Sequence, residues 1–131
     1  MDIINEYVEI RKLYPLIKDT DAVQAYNLMQ KSNVLKSYLD EQFVEANKEM
    51  LLLKNNIEIV KSRLSISGDA KNTTNGNRIA MASNEYEKSI FDYANKKQYC
   101  DLLERQVDFL KNVSFQMFSI WDSCKRRNER Y

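Results

Sequence analysis

Histidine is absent from this 131-residue chain, and glycine, proline and cysteine are scarce. Without imidazole the chain lacks the usual general base, the usual zinc ligand and every catalytic triad built on histidine. Two glycines and one proline are too few for the many tight turns of a β-sandwich or barrel. Helices with few connections fit this composition better, so we predict an all-α fold in a single domain over residues 1–131.

Recognisable catalytic and cofactor motifs are also missing. Gly68 and Gly76 do not stand between a strand and a helix with a lysine following, so neither belongs to a phosphate-binding loop. Cys100 and Cys124 are too far apart in sequence to form a zinc site without further ligands, and the carboxylates form no recognisable acid–base pair or metal-binding pattern. We therefore expect a protein that is not an enzyme and that uses no cofactor and no metal.

Long apolar runs are missing as well, since none approaches the roughly twenty residues of a membrane-spanning helix. Residues 1–12 mix acidic and basic side chains with apolar ones, unlike a signal peptide. We therefore expect no membrane partner, an intracellular location and reduced cysteine thiols. With twenty basic against nineteen acidic residues, the net charge gives no argument for nucleic-acid binding, which would need a local basic patch.

Short helices are predicted in the first quarter of the chain, over residues 1–33. Apolar residues recur at helical spacing over residues 2–13, and Pro15 stops that run because the residue before a proline avoids the helical region. The polar cluster at residues 19–21 offers N-cap oxygens to a second helix. We expect the polar pair at 32–33 to loosen this second helix.

A long helix is predicted over residues 34–66, where apolar residues are separated by alternating steps of four and three. The members of this seam are Leu39, Phe43, Ala46, Met50, Leu53, Ile57, Val60 and Leu64. Such spacing is typical of a coiled coil, and strands do not produce it. A helix of this length measures about 45 Å at 1.5 Å per residue and needs a long partner to cover its apolar side.

A flexible loop and a second long helix are predicted to follow. Residues 67–77 contain both glycines and no large apolar residue, which indicates a loop. A second apolar pattern occupies residues 78–127, and Lys97 interrupts it, which leaves open a break in that helix. The two long helices should form an antiparallel hairpin, because each then buries its apolar stripe against the other. The second helix carries more apolar surface than one partner covers, which favours self-assembly.

Basic residues concentrate around the end of the first long helix and in the loop. They are Lys54, Lys61, Arg63, Lys71 and Arg78. A second basic cluster occupies residues 125–130. Lysine and arginine near a helix C-terminus also complement the helix dipole, so composition alone favours that role over phosphate contact.

Three short motifs resemble the UvsY family of tailed-phage recombination mediators. Residues 61–64 read Lys-Ser-Arg-Leu and are followed by Ser-Gly at 67–68, similar to the family's Lys-x-Arg-Leu segment that closes in Ser-Gly. Lys-Glu-Met-Leu at 48–51 lies at a similar distance upstream, and Phe-Ser-Ile at 118–120 resembles the family's Phe-x-Ile near the C-terminus. Chain length and helix order agree too, so the resemblance covers nearly the whole chain.

The resemblance implies a ring-like homo-oligomer, a heptamer in the family, that binds single-stranded DNA. It implies that the protein loads a RecA-like recombinase onto DNA covered by single-strand-binding protein, in the cytoplasm of the infected bacterial host. The family's DNA-binding lysine and arginine correspond to Lys61 and Arg63. We expect Lys54, Lys71 and Arg78 to broaden that positive surface.

The resemblance also implies that the C-terminal helix holds the oligomer together. The candidate residues for this contact are Leu103, Val107, Phe109, Leu110, Val113, Met117, Phe118 and Trp121. Two positions depart from the family. The residues at 65–66, Ser-Ile, offer no ring for a base where the family is rich in tyrosine, and Trp121 stands where a lysine is expected. The alternative is a coiled-coil scaffold or phage assembly protein that does not bind DNA.

Overall fold

The structure, a computed structural model, describes residues 2–67 and 83–129. Within these ranges the chain is helical and has no strand, which confirms the all-α class and the long helix pair. The elements are α1 (Ile3–Leu13), a 3-10 turn (Tyr14–Leu16), α2 (Ala22–Ser67) and α3 (Asn84–Glu129). Most of the loop predicted at 67–77, and the predicted start of the last helix at residue 78, lie outside the described residues.

Helix α1 begins and ends where its sequence provides caps. The backbone N–H of Asn5 donates to the Asp2 carboxylate (3.2 Å), and the Asn5 amide donates to the other oxygen of that carboxylate (2.7 Å). Two basic residues in the last turn complement the helix dipole. Pro15 then occupies the start of the 3-10 turn, where its missing N–H is tolerated.

Helix α2 is longer than the sequence predicts. It begins after Asp21, whose carboxylate accepts a hydrogen bond from the backbone N–H of Gln24 (3.3 Å), and it continues without interruption through residues 32 and 33. The prediction of a separate short helix ending near residue 33 is therefore wrong. Ser32 is packed in the core and the Asn33 side chain is bonded to α3, so neither competes for the backbone of α2.

Helix α3 is also continuous. The Ser83 hydroxyl accepts a hydrogen bond from the backbone N–H of Tyr86 (3.1 Å), and two glutamates in the first turn favour the positive end of the helix dipole. The helix is not broken at Lys97, although the sequence allowed a break there. Lys97 is exposed to solvent and does not belong to the buried apolar face of α3.

The chain divides into two compact units. The first, here called the terminal unit, comprises Met1–Gln42 and Leu103–Tyr131, and the second, the middle unit, comprises Phe43–Leu102. Since α2 and α3 each run through both units, this division does not test the predicted single domain.

The terminal unit has a core made by three helices. Its buried apolar residues are Ile10 of α1, Ala25, Leu28, Leu35 and Leu39 of α2, and Leu103, Leu110, Val113, Met117 and Cys124 of α3. Within this unit α2 and α3 run antiparallel, because Tyr26 packs against Trp121 while Asn33, further along α2, bonds to Ser114, which lies earlier in α3.

Helix α1 is held against α3 by aromatic contacts. The Phe109 ring makes T-shaped contacts with Tyr7 and Tyr14, whose ring centroids are 5.5 and 5.3 Å away. The Arg11 guanidinium lies over Phe109, 5.2 Å from its centroid. Edge-to-face pairs of this kind each contribute about 0.5–1.5 kcal/mol beyond area burial. They fix α1 over a part of α3 that is apolar in the sequence.

The described part of the middle unit is a pair of antiparallel helix segments from α2 and α3, in which Arg63 pairs with Glu85 and Glu49 with Lys96. The buried residues in this part are small: Ala46 and Val60 of α2, and Ser89 and Cys100 of α3. The predicted seam of α2 is confirmed as the packed face, since all its members are buried or half-buried. The apolar pattern of α3 comprises Tyr86, Ile90, Tyr93, Cys100, Leu103, Val107, Leu110, Met117 and Trp121. Of these nine residues Ile90 is exposed, while its neighbour Ser89 is buried, and the other eight are buried or half-buried.

Candidate nucleic-acid interface

Three of the five predicted DNA-binding residues lie in the described part of the chain. Lys54, Lys61 and Arg63 belong to the C-terminal part of α2, in the middle unit. Lys71 and Arg78 lie outside the described residues.

Lys54 and Lys61 share one side of α2. They are seven residues apart, which is nearly two full helical turns, so their side chains leave the helix in almost the same direction about 10.5 Å apart. Lys54 is exposed and Lys61 is half-buried. Within residues 2–67 and 83–129 neither ammonium group has an ion-pair partner, so both are available to an anionic ligand. The exposed acid Glu58 lies between them in sequence and limits how positive this side of α2 becomes.

Arg63 lies on the other side of the helix. It follows Lys61 by two residues, which is a rotation of about 200° around α2. There its guanidinium forms an ion pair with Glu85 of α3, and the two side chains are 59% and 50% exposed. The structure therefore does not bring the lysine and arginine of the Lys-x-Arg-Leu motif onto one face. An ion pair this exposed contributes about 0–1 kcal/mol, so a phosphate can displace Glu85 at small cost.

A second ion pair joins the helices of the middle unit. Lys96 of α3 lies 2.6 Å from the Glu49 carboxylate of α2, and this hydrogen bond raises the pKa of Lys96. Next to it, burial raises the pKa of the Cys100 thiol. A thiol with a raised pKa stays protonated at neutral pH and reacts slowly, so Cys100 acts as a core side chain.

The predicted oligomerisation residues fall into three groups. Leu103, Leu110, Val113 and Met117 are buried within the terminal unit, Val107, Phe109 and Trp121 are half-buried, and Phe118 is exposed. The buried four are covered by the chain's own helices and are not on its surface. Part of the apolar excess of α3 is explained by α1 and the 3-10 turn, whose Tyr7 and Tyr14 pack on Phe109. The sequence pattern did not indicate this contact.

Three aromatic side chains form a cluster in the terminal unit: Phe118 and Trp121 belong to the predicted oligomerisation set, and Tyr26 was not predicted as a site residue. Tyr26 of α2 packs against Trp121 of α3 with ring centroids 5.7 Å apart, and Phe118 packs against Trp121 at 5.9 Å. Their pairing depends on the register between α2 and α3, which spacing within either helix does not reveal.

Within the described residues, the fold and the site define an all-helical protein with a long helix pair and with lysines near the end of α2 that form no ion pair. Comparison with protein-family models, with curated proteins and with solved structures finds no match to this chain. Within the described ranges, no helix is long and apolar enough to cross a membrane. In the same ranges no group of acidic, cysteine or histidine side chains could hold a metal ion.

Proposed function

We propose that this chain is a phage recombination mediator of the UvsY type. It binds single-stranded DNA and promotes the loading of a RecA-like recombinase onto DNA covered by single-strand-binding protein, in the cytoplasm of the infected bacterial cell. The observation that supports this function is the position of the Lys-Ser-Arg-Leu motif. Its lysine is unpaired among the described residues, and its arginine has only an exposed ion pair near the end of α2.

Binding on this proposal is electrostatic and independent of sequence. Lys54 and Lys61 contact backbone phosphates from one side of α2, and Arg63 exchanges Glu85 for a phosphate on the other side. Lys71 and Arg78 add positive charge from the segment that follows. Contacts to phosphates fix the position of a strand without reading its bases, and they weaken as salt rises because counterions are released on binding.

Self-association compensates for the weakness of each site. The chain has a net charge of only +1, so one copy attracts an anionic strand weakly. A ring-like homo-oligomer presents the same site several times to one strand, and linked sites gain affinity without any new contact. On this proposal the copies meet through the C-terminal helix, where Phe118 is the member of the predicted contact set that is exposed.

A coiled-coil scaffold without DNA binding is the second candidate. The observation that favours it is that Arg63 and Lys96 each pair with a glutamate of the facing helix, as they would in a purely structural hairpin. Under this alternative the basic residues at the end of α2 only solvate the helix and complement its dipole.

The binding of a fluorescent poly-dT strand, followed by anisotropy over a range of salt concentrations, separates the two candidates. The test variant is Lys61→Ala/Arg63→Ala. The control variant is Lys88→Ala/Lys97→Ala, which removes the same charge from two exposed lysines of the same unit. Both must retain the oligomeric mass of the wild type.

We expect the wild type to bind at low salt and the test variant to bind about tenfold more weakly. Two lost phosphate contacts should reduce the slope of log affinity against log salt by about 1.4. The control should lose less than the test variant. A wild type that does not bind at low salt would make the scaffold the better account, and equal losses in both variants would remove the motif as the site.

A further inference from the structure

The terminal unit carries an exposed aromatic face, defined by Tyr26, Phe118 and Trp121. The three rings lie in contact across α2 and α3, with centroids 5.7 and 5.9 Å apart and planes tilted by 43° and 44°. Tyr26 is 40% exposed and Phe118 is 45% exposed, while Trp121 lies between them and is half-buried. Rings packed on one another and still open to solvent are rigid surfaces on which a further flat group can stack.

Lysines flank these rings at helical spacing. Lys111, Phe118 and Lys125 are exposed and follow one another at intervals of seven residues, so they form a row along α3 with steps of about 10.5 Å. The Lys125 ammonium lies 5.2 Å from the centroid of the Trp121 ring. A cation therefore stands next to the rings, and a second one stands two turns away on the same row.

The neighbouring row of α3 carries no charged residue. Ser114, Trp121 and Asn128 also follow one another by seven residues, and the Ser114 hydroxyl donates a hydrogen bond to the Asn33 amide oxygen of α2 (2.7 Å). Asp122 is the acid of α3 next to Trp121, and its carboxylate is held by Arg126 at 3.1 Å. Within the described residues neither Lys111 nor Lys125 forms an ion pair, and the nearest further acids along α3 are the exposed Glu104 and Asp108, seven and three residues before Lys111.

We propose that the aromatic face binds single-stranded DNA by stacking bases on Tyr26, Phe118 and Trp121, with Lys111 and Lys125 on the phosphates. Proteins that hold single strands without sequence preference combine such rings with a cationic track. The end of α2 has no aromatic residue, since Ser65 and Ile66 follow the motif, whereas the aromatic face belongs to the terminal unit. This inference rests on the proposed DNA binding, and it assigns Phe118 and Trp121 to the strand and not to a subunit contact.

The chain offers a direct probe, because Trp121 is its only tryptophan. A base stacked on an indole ring quenches its emission, whereas a phosphate alone does not stack. We titrate the wild type with a twenty-nucleotide dT strand and with an abasic strand of the same length and charge, and record tryptophan emission and anisotropy in parallel. We expect the dT strand to quench Trp121 at the concentrations at which anisotropy reports binding, and the abasic strand to bind more weakly without quenching.

Substitutions then test the face itself. Tyr26→Leu and Phe118→Leu keep apolar volume and remove a ring. Phe115→Leu is the matched control, since Phe115 is 71% exposed on the same helix and touches neither Tyr26 nor Trp121 by ring contact. Since one stacked base corresponds to about 5- to 100-fold in affinity, each test variant should bind dT at least fivefold more weakly, with the abasic strand and the control unaffected.

Three experimental outcomes would contradict this inference, and each has a different meaning. If dT binds by anisotropy while Trp121 emission is unchanged and the test variants match the control, the aromatic face is overturned and the proposed DNA binding stands. If no strand binds at low salt, the proposed function fails and this inference fails with it. If light scattering gives a lower mass for Tyr26→Leu or Phe118→Leu than for Phe115→Leu, the face is a contact between copies of the chain and the inference is wrong.

Discussion

The terminal and middle units are built from the same two helices but are packed differently. In the terminal unit α1 lies on α2 and α3, and large side chains such as Leu35, Leu39 and Leu110 are almost fully buried. The part of the middle unit that the structure describes contains only α2 and α3, and most seam residues there are half-buried. When two helices pack together, each apolar seam is covered on one side and stays partly open to solvent. A third helix covers the side that is left open. In the terminal unit α1 therefore completes the core that the apolar stripes of α2 and α3 begin.

Ion pairs between helices occur in both units, and in the terminal unit Lys31 of α2 lies 3.8 Å from Glu9 of α1. The middle unit joins its helices through Arg63–Glu85 and Lys96–Glu49, both at its surface. Exposed pairs of this kind add little stability, so they set the register of the helices more than they hold them together. The middle unit is therefore expected to be the less stable of the two, and it is also the unit that carries the candidate DNA-binding lysines.

The largest expected effect on stability comes from creating a cavity in the core of the terminal unit. Leu110→Ala should lower the free energy of unfolding by about 2–5 kcal/mol, because Leu110 is 0% exposed and its removal leaves a cavity. Ile57→Ala in the middle unit, where the side chain is half-buried, should cost roughly half as much. Urea denaturation followed by circular dichroism measures both. Equal losses in the free energy of unfolding for the two variants would show that the two units are packed equally well.

A second effect concerns the attachment of α1. Phe109→Leu removes the ring that Tyr7 and Tyr14 contact while keeping most of the apolar volume. We expect a loss of about 1–2 kcal/mol, since two aromatic pairs are lost together. Limited proteolysis should then cut within α1 sooner than in the wild type. Phe115→Leu, on an exposed ring of the same helix, serves as the control, and equal cleavage in both variants would show that the aromatic contacts do not hold α1.

A third substitution should stabilise the terminal unit. Ser32 is fully buried in α2, and its hydroxyl has no hydrogen-bond partner among the described residues. Ser32→Ala removes that unpaired group, so the free energy of unfolding should rise by about 1 kcal/mol. Thermal unfolding measures the change against Ser37→Ala, an exposed serine of the same helix. A lower melting temperature for Ser32→Ala than for this control would mean that the hydroxyl is satisfied in solution.

The smallest effect is the pH dependence of the Lys96–Glu49 pair. The hydrogen bond to Glu49 raises the pKa of Lys96 in the folded state, so the stabilisation is fully present below the ordinary lysine pKa. It is lost as pH rises through the higher folded value. Glu49→Gln should lower the pKa of Lys96, which NMR titration of the lysine side chains can follow. An unchanged pKa in that variant would show that the pair does not form in solution.

The sequence predicted the helices and their packed faces well, because both depend on spacing along the chain. Alternating steps of four and three identified the seam of α2, and the structure confirms it. The predicted boundary near residue 33 was wrong because it assumed that polar residues interrupt a helix. Asn33 instead bonds across to Ser114, and that partner is 81 residues away in sequence.

The candidate sites were predicted less completely. Lys61 and Arg63 lie on two sides of α2 because a helix turns by about 100° per residue, and this separation could have been predicted from the sequence. The contact between Tyr26 and Trp121 was not, since it needs the register between two helices that no local pattern gives. The buried state of Leu110 and Val113 likewise depends on how the other helices cover α3 in the terminal unit.

The most direct test of the proposed function is recombinase loading. A RecA-like recombinase is added to single-stranded DNA already covered by single-strand-binding protein, and its DNA-dependent ATP hydrolysis is followed with and without this chain. We predict that the wild type shortens the lag before hydrolysis, and that Lys61→Ala/Arg63→Ala does so less than the control Lys88→Ala/Lys97→Ala. A lag that the wild type leaves unchanged, while the strand is bound by the chain, would contradict the mediator function.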